Sequence, residues 1–405
     1  MELQNNGRMA QQLLEEAIGQ HASDVHVEPL EKEARVRIRL DGLLKELCRM
    51  PWNLYNTLVT QLKVLSGMDI AEKRLPQDGR WQLAANGHAV DLRLSSLPTI
   101  RGEKLVIRIL DRQQGVCRLD DLGMNRDNLQ LYRKMYSVSH GLLLITGPTG
   151  SGKTTSLYAT LQELQQEGLN LVTVEDPVEF KLYGINQVAV NRKAGLDFST
   201  GLRSLVRQDP DIIMVGEIRD GETASMAVQA ALTGHLVLST LHTNSAVGAV
   251  ARLVDMGVES YLLAAALRGV LAQRLVRRIC SRCKEEYEPT KLEYSFLGLE
   301  KPRRLLRGHG CEHCHGTGFL GRMAVQELLP VDEYMSELIS AGAGPAALLS
   351  HGACLGWRSL YADGVEKVLA GQTTVNELWR VGIIGEEPAN VGFLNGGVHD
   401  CDYMH

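Results

Sequence analysis

Leu142-Leu143-Leu144-Ile145-Thr146 runs directly into Gly147-Pro148-Thr149-Gly150-Ser151-Gly152-Lys153-Thr154, and Thr155-Ser156-Leu157-Tyr158-Ala159-Thr160-Leu161 follows with helical spacing. A buried strand, a glycine-rich turn closed by Lys-Thr, and a helix form a phosphate-binding loop in the context it requires. Gly147, Gly150 and Gly152 let the backbone turn close to an anion, while the loop amides and the helix N-terminus supply positive potential. The expected nucleotide contacts are therefore Gly147, Pro148, Thr149, Gly150, Ser151, Gly152, Lys153, Thr154 and Thr155. Lys153 adds a point charge on the phosphates, and the Thr154 hydroxyl is placed to hold magnesium. The expected ligand is ATP or GTP.

The chain has 405 residues, 44% apolar and 22% charged, which suits two or three domains with ample core material. A formal net charge of −5 gives no bulk attraction to nucleic acid. No apolar run approaches the roughly 18 residues of a membrane span. The polar start, Met1 to Gln12, lacks the apolar stretch of a secretion signal, so reducing cytoplasm without disulfides is expected. Cys48, Cys117, Cys354 and Cys401 are scattered, whereas Cys280, Cys283, Cys311 and Cys314 form two C-x-x-C pairs. Two such turns complete the tetrahedral thiolate set that zinc prefers. The loop between the pairs is long, but closure entropy grows only logarithmically with length. Buried or redox-active thiols are the alternative use, and His309, His313 or His315 could replace a sulfur. A four-sulfur site keeps no open position for water, so it would brace the fold without catalysing.

Residues 1–113 read as a small α+β domain. Leu13, Leu14, Ala17 and Ile18 share one face of a helix over Met9–Ile18. Val36, Ile38 and Leu40 alternate with Arg35, Arg37 and Arg39, turn at Asp41-Gly42 and return through Leu43–Leu47. A helix over Trp52–Leu65 and a second hairpin with its turn at Asn86-Gly87 follow; Val90, Leu92 and Leu94 line the return strand, and Leu105–Leu110 alternates again. Each arginine of this sheet, taken singly, reads as part of a solvated face. Residues 114–123 form the expected linker. From 124 to 385 strands alternate with helices, which implies a mostly parallel sheet covered on both faces, carrying the cysteine element at 279–321. Residues 386–405 show no apolar periodicity and are expected to be disordered. Thr374 and Glu377 fit a capping box for a last helix ending near Val381.

Ligands of such sheets bind beyond the carboxyl ends of the strands, which ranks the acidic and histidine candidates. The strand Leu171–Val174 leads into Glu175-Asp176-Pro177-Val178-Glu179, so three carboxylates at its exit could position water. The strand Ile212–Val215 has Asp211 at its entrance and Gly216-Glu217 at its exit, placing Glu217 on the nucleotide side. Gly216 stands where the usual magnesium aspartate would, so Glu217 is expected to reach the metal through water. His242 follows the strand Leu236–Leu241 and can approach the γ-phosphate; His235 precedes it and packs or caps.

These segments together resemble the secretion ATPase superfamily, in particular the type II secretion and type IV pilus assembly ATPases. The resemblance rests on Gly147–Thr154, the acidic Glu175–Glu179, Asp209–Asp220 and Thr233–Thr243. Ala22-Ser23-Asp24-Val25-His26-Val27-Glu28, Asp69–Arg80 and the paired cysteines extend it, so it spans roughly residues 8 to 385. It implies an α/β, RecA-like P-loop NTPase domain with a mostly parallel sheet, preceded by a small PAS-like α+β domain and carrying a tetracysteine zinc subdomain. It implies Glu179 as the general base, Glu217 as the metal-side glutamate, Arg203 and Arg207 near the phosphates, and Arg80 and Arg93 closing over the nucleotide. It further implies ATP, Mg2+ and Zn2+, a homohexameric ring, and recruitment from the cytoplasm to inner-membrane platform and docking proteins, without direct nucleic-acid binding. Many secretion members carry an additional amino-terminal docking domain, whereas here the match begins almost at once, so that surface is expected to be absent or on another chain. The leading reading is a motor that assembles a (pseudo)pilus for type II protein secretion. Other loads are type IV pilus extension, DNA uptake or retraction, although retraction relatives generally lack the cysteine pairs. A nucleotide-dependent scaffold with little turnover is the reading from another class, and intact Lys153, Glu179 and Glu217 speak against it.

Overall fold

The computed structural model describes residues 8–85, 87–110, 117–301 and 303–385. The chain forms two compact units, one ending at residue 115 and the other beginning at 116. The first contains α1 (Met9–Gly19), β1 (Asp24–Pro29), β2 (Ala34–Leu40), β3 (Leu43–Met50), α2 (Trp52–Ser66), β4 (Gln77–Ala85), β5 (His88–Thr99) and β6 (Gly102–Leu110). Its six strands pair antiparallel in the order β3-β2-β1-β6-β5-β4. Period-two alternation buries Val25, Val27, Val36, Ile38, Val90, Leu92, Leu94 and Ile107 against Leu13, Leu14, Leu58 and Leu62 of the two helices. The opposite face is charged. Glu28 takes ion pairs from Arg35 at 3.0 Å, Arg37 at 2.7 Å and Lys104 at 3.2 Å. Burial opposes its charge, yet these three cations hold its pKa down at about 2. Of the expected Asn86-Gly87 turn, Asn86 lies outside the described residues.

In the second unit, α3 (Arg126–Tyr136), β7 (Gly141–Thr146), α4 (Lys153–Leu164), β8 (Leu171–Glu175) and β9 (Asn186–Ala189) are followed by α5 (Phe198–Leu205), β10 (Ile212–Val215), α6 (Gly221–Leu232) and β11 (Leu236–Leu241). Then come α7 (Ala246–Asp255), α8 (Ser260–Ala266), β12 (Leu267–Ile279), β13 (Lys284–Tyr287), α9 (Lys291–Leu297), β14 (Leu305–Gly308) and β15 (Phe319–Pro330). The unit closes with α10 (Glu333–Ser340), α11 (Pro345–Cys354), α12 (Leu360–Leu369) and α13 (Val375–Arg380). The main sheet has the order β15-β12-β7-β11-β10-β8-β9. It is parallel from β9 through β12, and β15 runs antiparallel on the edge. Strands β7, β8, β10 and β11 are buried along their whole length. Aliphatic runs without alternation have that outcome when helices cover both faces, here α5 to α8 on one core and α3 and α4 on the other. The chain leaves β7, passes β11 and β10, and returns at β8, which opens a crevice at the carboxyl ends where β7 delivers the phosphate loop.

Two local expectations are modified by packing. Of the expected linker 114–123, residues 114–116 lie outside the described residues, while Leu119 and Leu122 are buried with Tyr132 and Leu157 in the core beside α4. Apolar side chains in a polar stretch found a core to join, so Leu119 and Leu122 belong to the second unit. At α13 the Thr374 hydroxyl accepts from the Glu377 N–H at 3.4 Å. The Glu377 carboxylate does not complete a capping box; it pairs with Arg277 at 2.7 Å and Arg380 at 2.7 Å. A guanidinium arriving from β12 is a stronger partner than one backbone N–H. Among the described residues, no helix is long and apolar enough to cross a membrane.

Candidate functional site

The phosphate loop is shaped by glycine where no other residue fits. Gly147 has φ +152, and a Cβ there would lie 2.4 Å from the Gln273 carbonyl oxygen. Gly150, at φ +79, faces open space. Lys153 opens α4 and is only 9% exposed; its Nζ donates to the carbonyls of Gly147 at 2.8 Å and Pro148 at 3.1 Å. Burial pulls its pKa down to about 8, with Glu217 opposing and Arg274 reinforcing the shift. The two carbonyls that accept from this buried cation are neutral. Thr154 and Thr155 are exposed on the first turn of α4.

The brace behind this loop escaped sequence reasoning. Gln273 of β12 is 1% exposed; its Nε2 donates to the Ser151 carbonyl at 2.7 Å, and its Oε1 accepts from the Ser156 hydroxyl at 3.0 Å. Its neighbour Arg274, also buried, donates to the Asn244 carbonyl at 3.1 Å and side-chain oxygen at 3.0 Å, just after the His242 strand end. The available signal was two adjacent polar residues in the middle of the otherwise aliphatic run Leu267–Ile279.

The structure separates the three carboxylates after β8. Glu175 is 3% exposed and accepts from the Tyr158 hydroxyl, from Thr173 Oγ1 at 2.6 Å and from Gln187 Nε2 at 3.0 Å, so its oxygens are consumed inside the fold. Asp176 pairs with Arg192 at 3.5 Å. Glu179 is half-buried, and its backbone N–H is held by the Tyr158 hydroxyl at 3.3 Å. At the end of β10, Glu217 pairs with Arg219 at 2.6 Å and approaches His242 Nε2 at 3.5 Å. Burial lowers the His242 pKa, Lys153 lowers it further, and Glu217 pulls the other way. Thr243 donates its N–H to Thr146 Oγ1 at 2.9 Å, fastening this turn to the end of β7. Glu217 thus acts electrostatically on both Lys153 and His242, and Lys153 on His242. His235 instead turns its Nδ1 to the Ala230 carbonyl at 2.9 Å, closing the end of α6.

The same sequence matches the family model described as Type II/IV secretion system protein over residues 3–380. The chain belongs to this family. A type II secretion system protein E of Pseudomonas aeruginosa is 50% identical over 376 residues, covering 92% of this chain and 75% of that protein. The type IV pilus assembly ATPase PilB of Thermus thermophilus is 46% identical, covering 92% of this chain and 42% of its own length. The solved Legionella pneumophila ATPase DotB shares the fold, with a TM-score of 0.68 at 21% identity, over 92% of this chain and 94% of that one.

The arginines that the secretion-family resemblance implicates have partners of their own on other elements. Arg203 pairs with Glu222 at 2.7 Å, and Arg207 donates to the Arg203 carbonyl at 2.7 Å, both on the exposed surface near the end of α5. Within the first unit, Arg80 stands opposite Arg93 across β4 and β5, and Arg93 stands opposite Arg108 across β5 and β6.

The secretion-family chain also brings its two C-x-x-C turns together. Cys280 and Cys283 follow β12, while Cys311 caps and Cys314 ends a single 3-10 turn after β14. The four sulfurs lie within 4.8 Å of one another, with Cys280 to Cys311 at 3.9 Å, Cys283 to Cys314 at 3.8 Å and Cys311 to Cys314 at 3.7 Å. A tetrahedron with zinc–sulfur bonds of about 2.3 Å has edges of about 3.8 Å, so the set fits that ion. His309, His313 and His315 are not members of the cluster. Cys314 Sγ accepts from the N–H groups of Cys311 and Gly318, each at 3.2 Å. Burial pushes its pKa up, but those N–H groups and the neighbouring thiols bring it down to about 6, while burial and the other thiols push Cys283 up to about 12, so the clustered thiols hold their protons unequally. The two turns close only through glycine: a Cβ on Gly318 would lie 2.4 Å from the Gly308 carbonyl oxygen.

Proposed function

We propose that this chain is an ATP-hydrolysing motor that drives assembly of a (pseudo)pilus for type II protein secretion. The observation that carries the reading is the convergence of Lys153, Glu217 and His242 at the phosphate-loop mouth, with Glu179 held at the next strand exit. In this account Lys153 leaves its own loop carbonyls for the phosphates. Glu179 orients the attacking water and accepts its proton. His242 reports on the γ-phosphate position through Glu217. Magnesium, held by the Thr154 hydroxyl and through Glu217, would neutralise charge on the β- and γ-phosphates. Zinc on the four cysteines would brace the element between β12 and β15 and take no part in hydrolysis.

A homohexameric ring completes the proposal. Arg203 and Arg207 are exposed and could offer cations to a neighbouring copy, and Arg80 and Arg93 are the candidates from the first unit. Arginines supplied in this way couple hydrolysis to movement. The place of action would be the cytoplasmic face of the inner membrane, against platform and docking proteins, without direct nucleic-acid contact. Identity of 46% to a type IV pilus assembly ATPase supports pilus extension as the second reading. ATPase rate against protein concentration, alongside mass in solution and with Glu179→Gln as control, tests the core claim. A rate per subunit that climbs as hexamers form and vanishes in the control is expected; a concentration-independent or negligible rate would favour a nucleotide-dependent scaffold.

A further inference from the structure

We infer that Tyr158 is a positioning residue that ties the phosphate-loop helix to Glu179. The inference rests on the reading of Glu179 as the base. Tyr158 lies on α4, five positions beyond Lys153, and is 1% exposed. Its hydroxyl donates to the Glu175 carboxylate and accepts from the Glu179 backbone N–H at 3.3 Å. Its ring meets Phe180 edge-on at 6.4 Å between centroids.

Gln187 also anchors the segment carrying Glu179. Gln187 Nε2 donates to the Phe180 carbonyl at 3.0 Å, and its Oε1 accepts from the Leu182 N–H at 2.7 Å. The same Nε2 also reaches Glu175 at 3.0 Å. Tyr158 and Gln187 therefore converge on one buried carboxylate, and Glu175 orients both. Glu175 is a hub that aims its neighbours and is spent in doing so. Tyr158 belongs to the helix that opens with Lys153, so a shift of that helix on phosphate binding is passed to the turn bearing Glu179. Burial and Glu175 both raise the phenol pKa, which keeps Tyr158 protonated and donating throughout the working range.

A base displaced by a fraction of an ångström loses rate while phosphate binding is untouched, and that split separates positioning from a general loss of structure. In the full chain, Tyr158→Phe is expected to lower kcat by about tenfold to a hundredfold and leave the dissociation constant for ATP within about twofold of the parent. Added to Glu179→Gln, it should change the residual single-turnover rate by less than about twofold, because the group it aims is already gone. The paired variant Tyr158→Phe/Glu175→Gln removes the buried charge together with its donor. It should show the same kcat loss, and it answers for the single variant if that one folds poorly. A parent-like kcat in a folded Tyr158→Phe or paired variant overturns the inference while leaving Glu179 as base. A loss confined to nucleotide affinity, or a full further loss on top of Glu179→Gln, overturns it equally. A Glu179→Gln enzyme as fast as the parent overturns both.

Discussion

The phosphate loop and the cysteine element use the same local devices for opposite charges. Both depend on close backbone approaches that a Cβ would block, at Gly147 in one and at Gly308 and Gly318 in the other. Both shift a titrating group towards neutral pH, Lys153 to about 8 and Cys314 to about 6. They differ in what holds the frame. The loop is braced by Gln273 and rests on a core of large aliphatic side chains, whereas the apolar cluster at the cysteine element consists of the cysteines themselves. The loop's frame can stand without its ligand. In the cysteine element the ion would be the core, as in small zinc domains generally.

The largest expected effects come from removing each centre and looking at the other. Lys153→Ala should weaken nucleotide binding by about a hundredfold or more, since a charge-assisted contact to the triphosphate is lost, while metal content by elemental analysis stays the same. Cys280→Ser with Cys283→Ser should abolish bound zinc and open residues 280–320 to protease, with the ATP dissociation constant within about twofold. Collapse of nucleotide binding in the cysteine variant would show that the two frames are one. Next in size is Gly318→Ala, which forces a Cβ against the Gly308 oxygen at a φ of +76. A cost of about 1–3 kcal/mol is expected, read as weaker zinc retention against a chelator.

Gln273→Met keeps the volume but removes both arms of the brace, and nucleotide affinity should fall by about tenfold. An unchanged affinity would mean that the loop is held by its own turns without the Gln273 brace. The smallest and most graded effect is that of pH. Because the folded chain binds Lys153's proton less tightly than the ordinary value of 10.5, the unfolded chain carries more protons between about pH 8 and that value. Stability of the nucleotide-free protein should therefore rise with pH across that window. ATP affinity should move the other way, falling by up to about tenfold per unit above pH 8, because binding must restore the proton. Calorimetry at two pH values checks both signs, and Lys153→Ala should flatten the two slopes.

Much of the site is legible in the chain because it is local. Loop glycines, Lys153 and Thr154 lie within eight consecutive positions, and each C-x-x-C turn is equally short. The strand-end rule also ranked Glu217 and His242, which the structure places 3.5 Å apart. It could not choose among Glu175, Asp176 and Glu179, because the choice depends on Tyr158 and Gln187 reaching Glu175 from other elements. Nor could it foresee Arg277 drawing Glu377 away from its cap across a separation of 100 residues.

What the sequence determined by itself is the chemistry: a phosphate-binding turn between a buried strand and a helix, two thiolate pairs, and acidic groups at strand exits. These follow from backbone conformation and spacing, which neighbouring residues set. Only the tertiary structure decided that Glu175 is consumed inside the fold and what braces the loop. The physical reason is sheet order: β12 lies beside β7 and brings Gln273 to Ser151 across 122 residues. A hydrogen-bond partner at that distance along the chain is chosen by strand register, which no local pattern encodes.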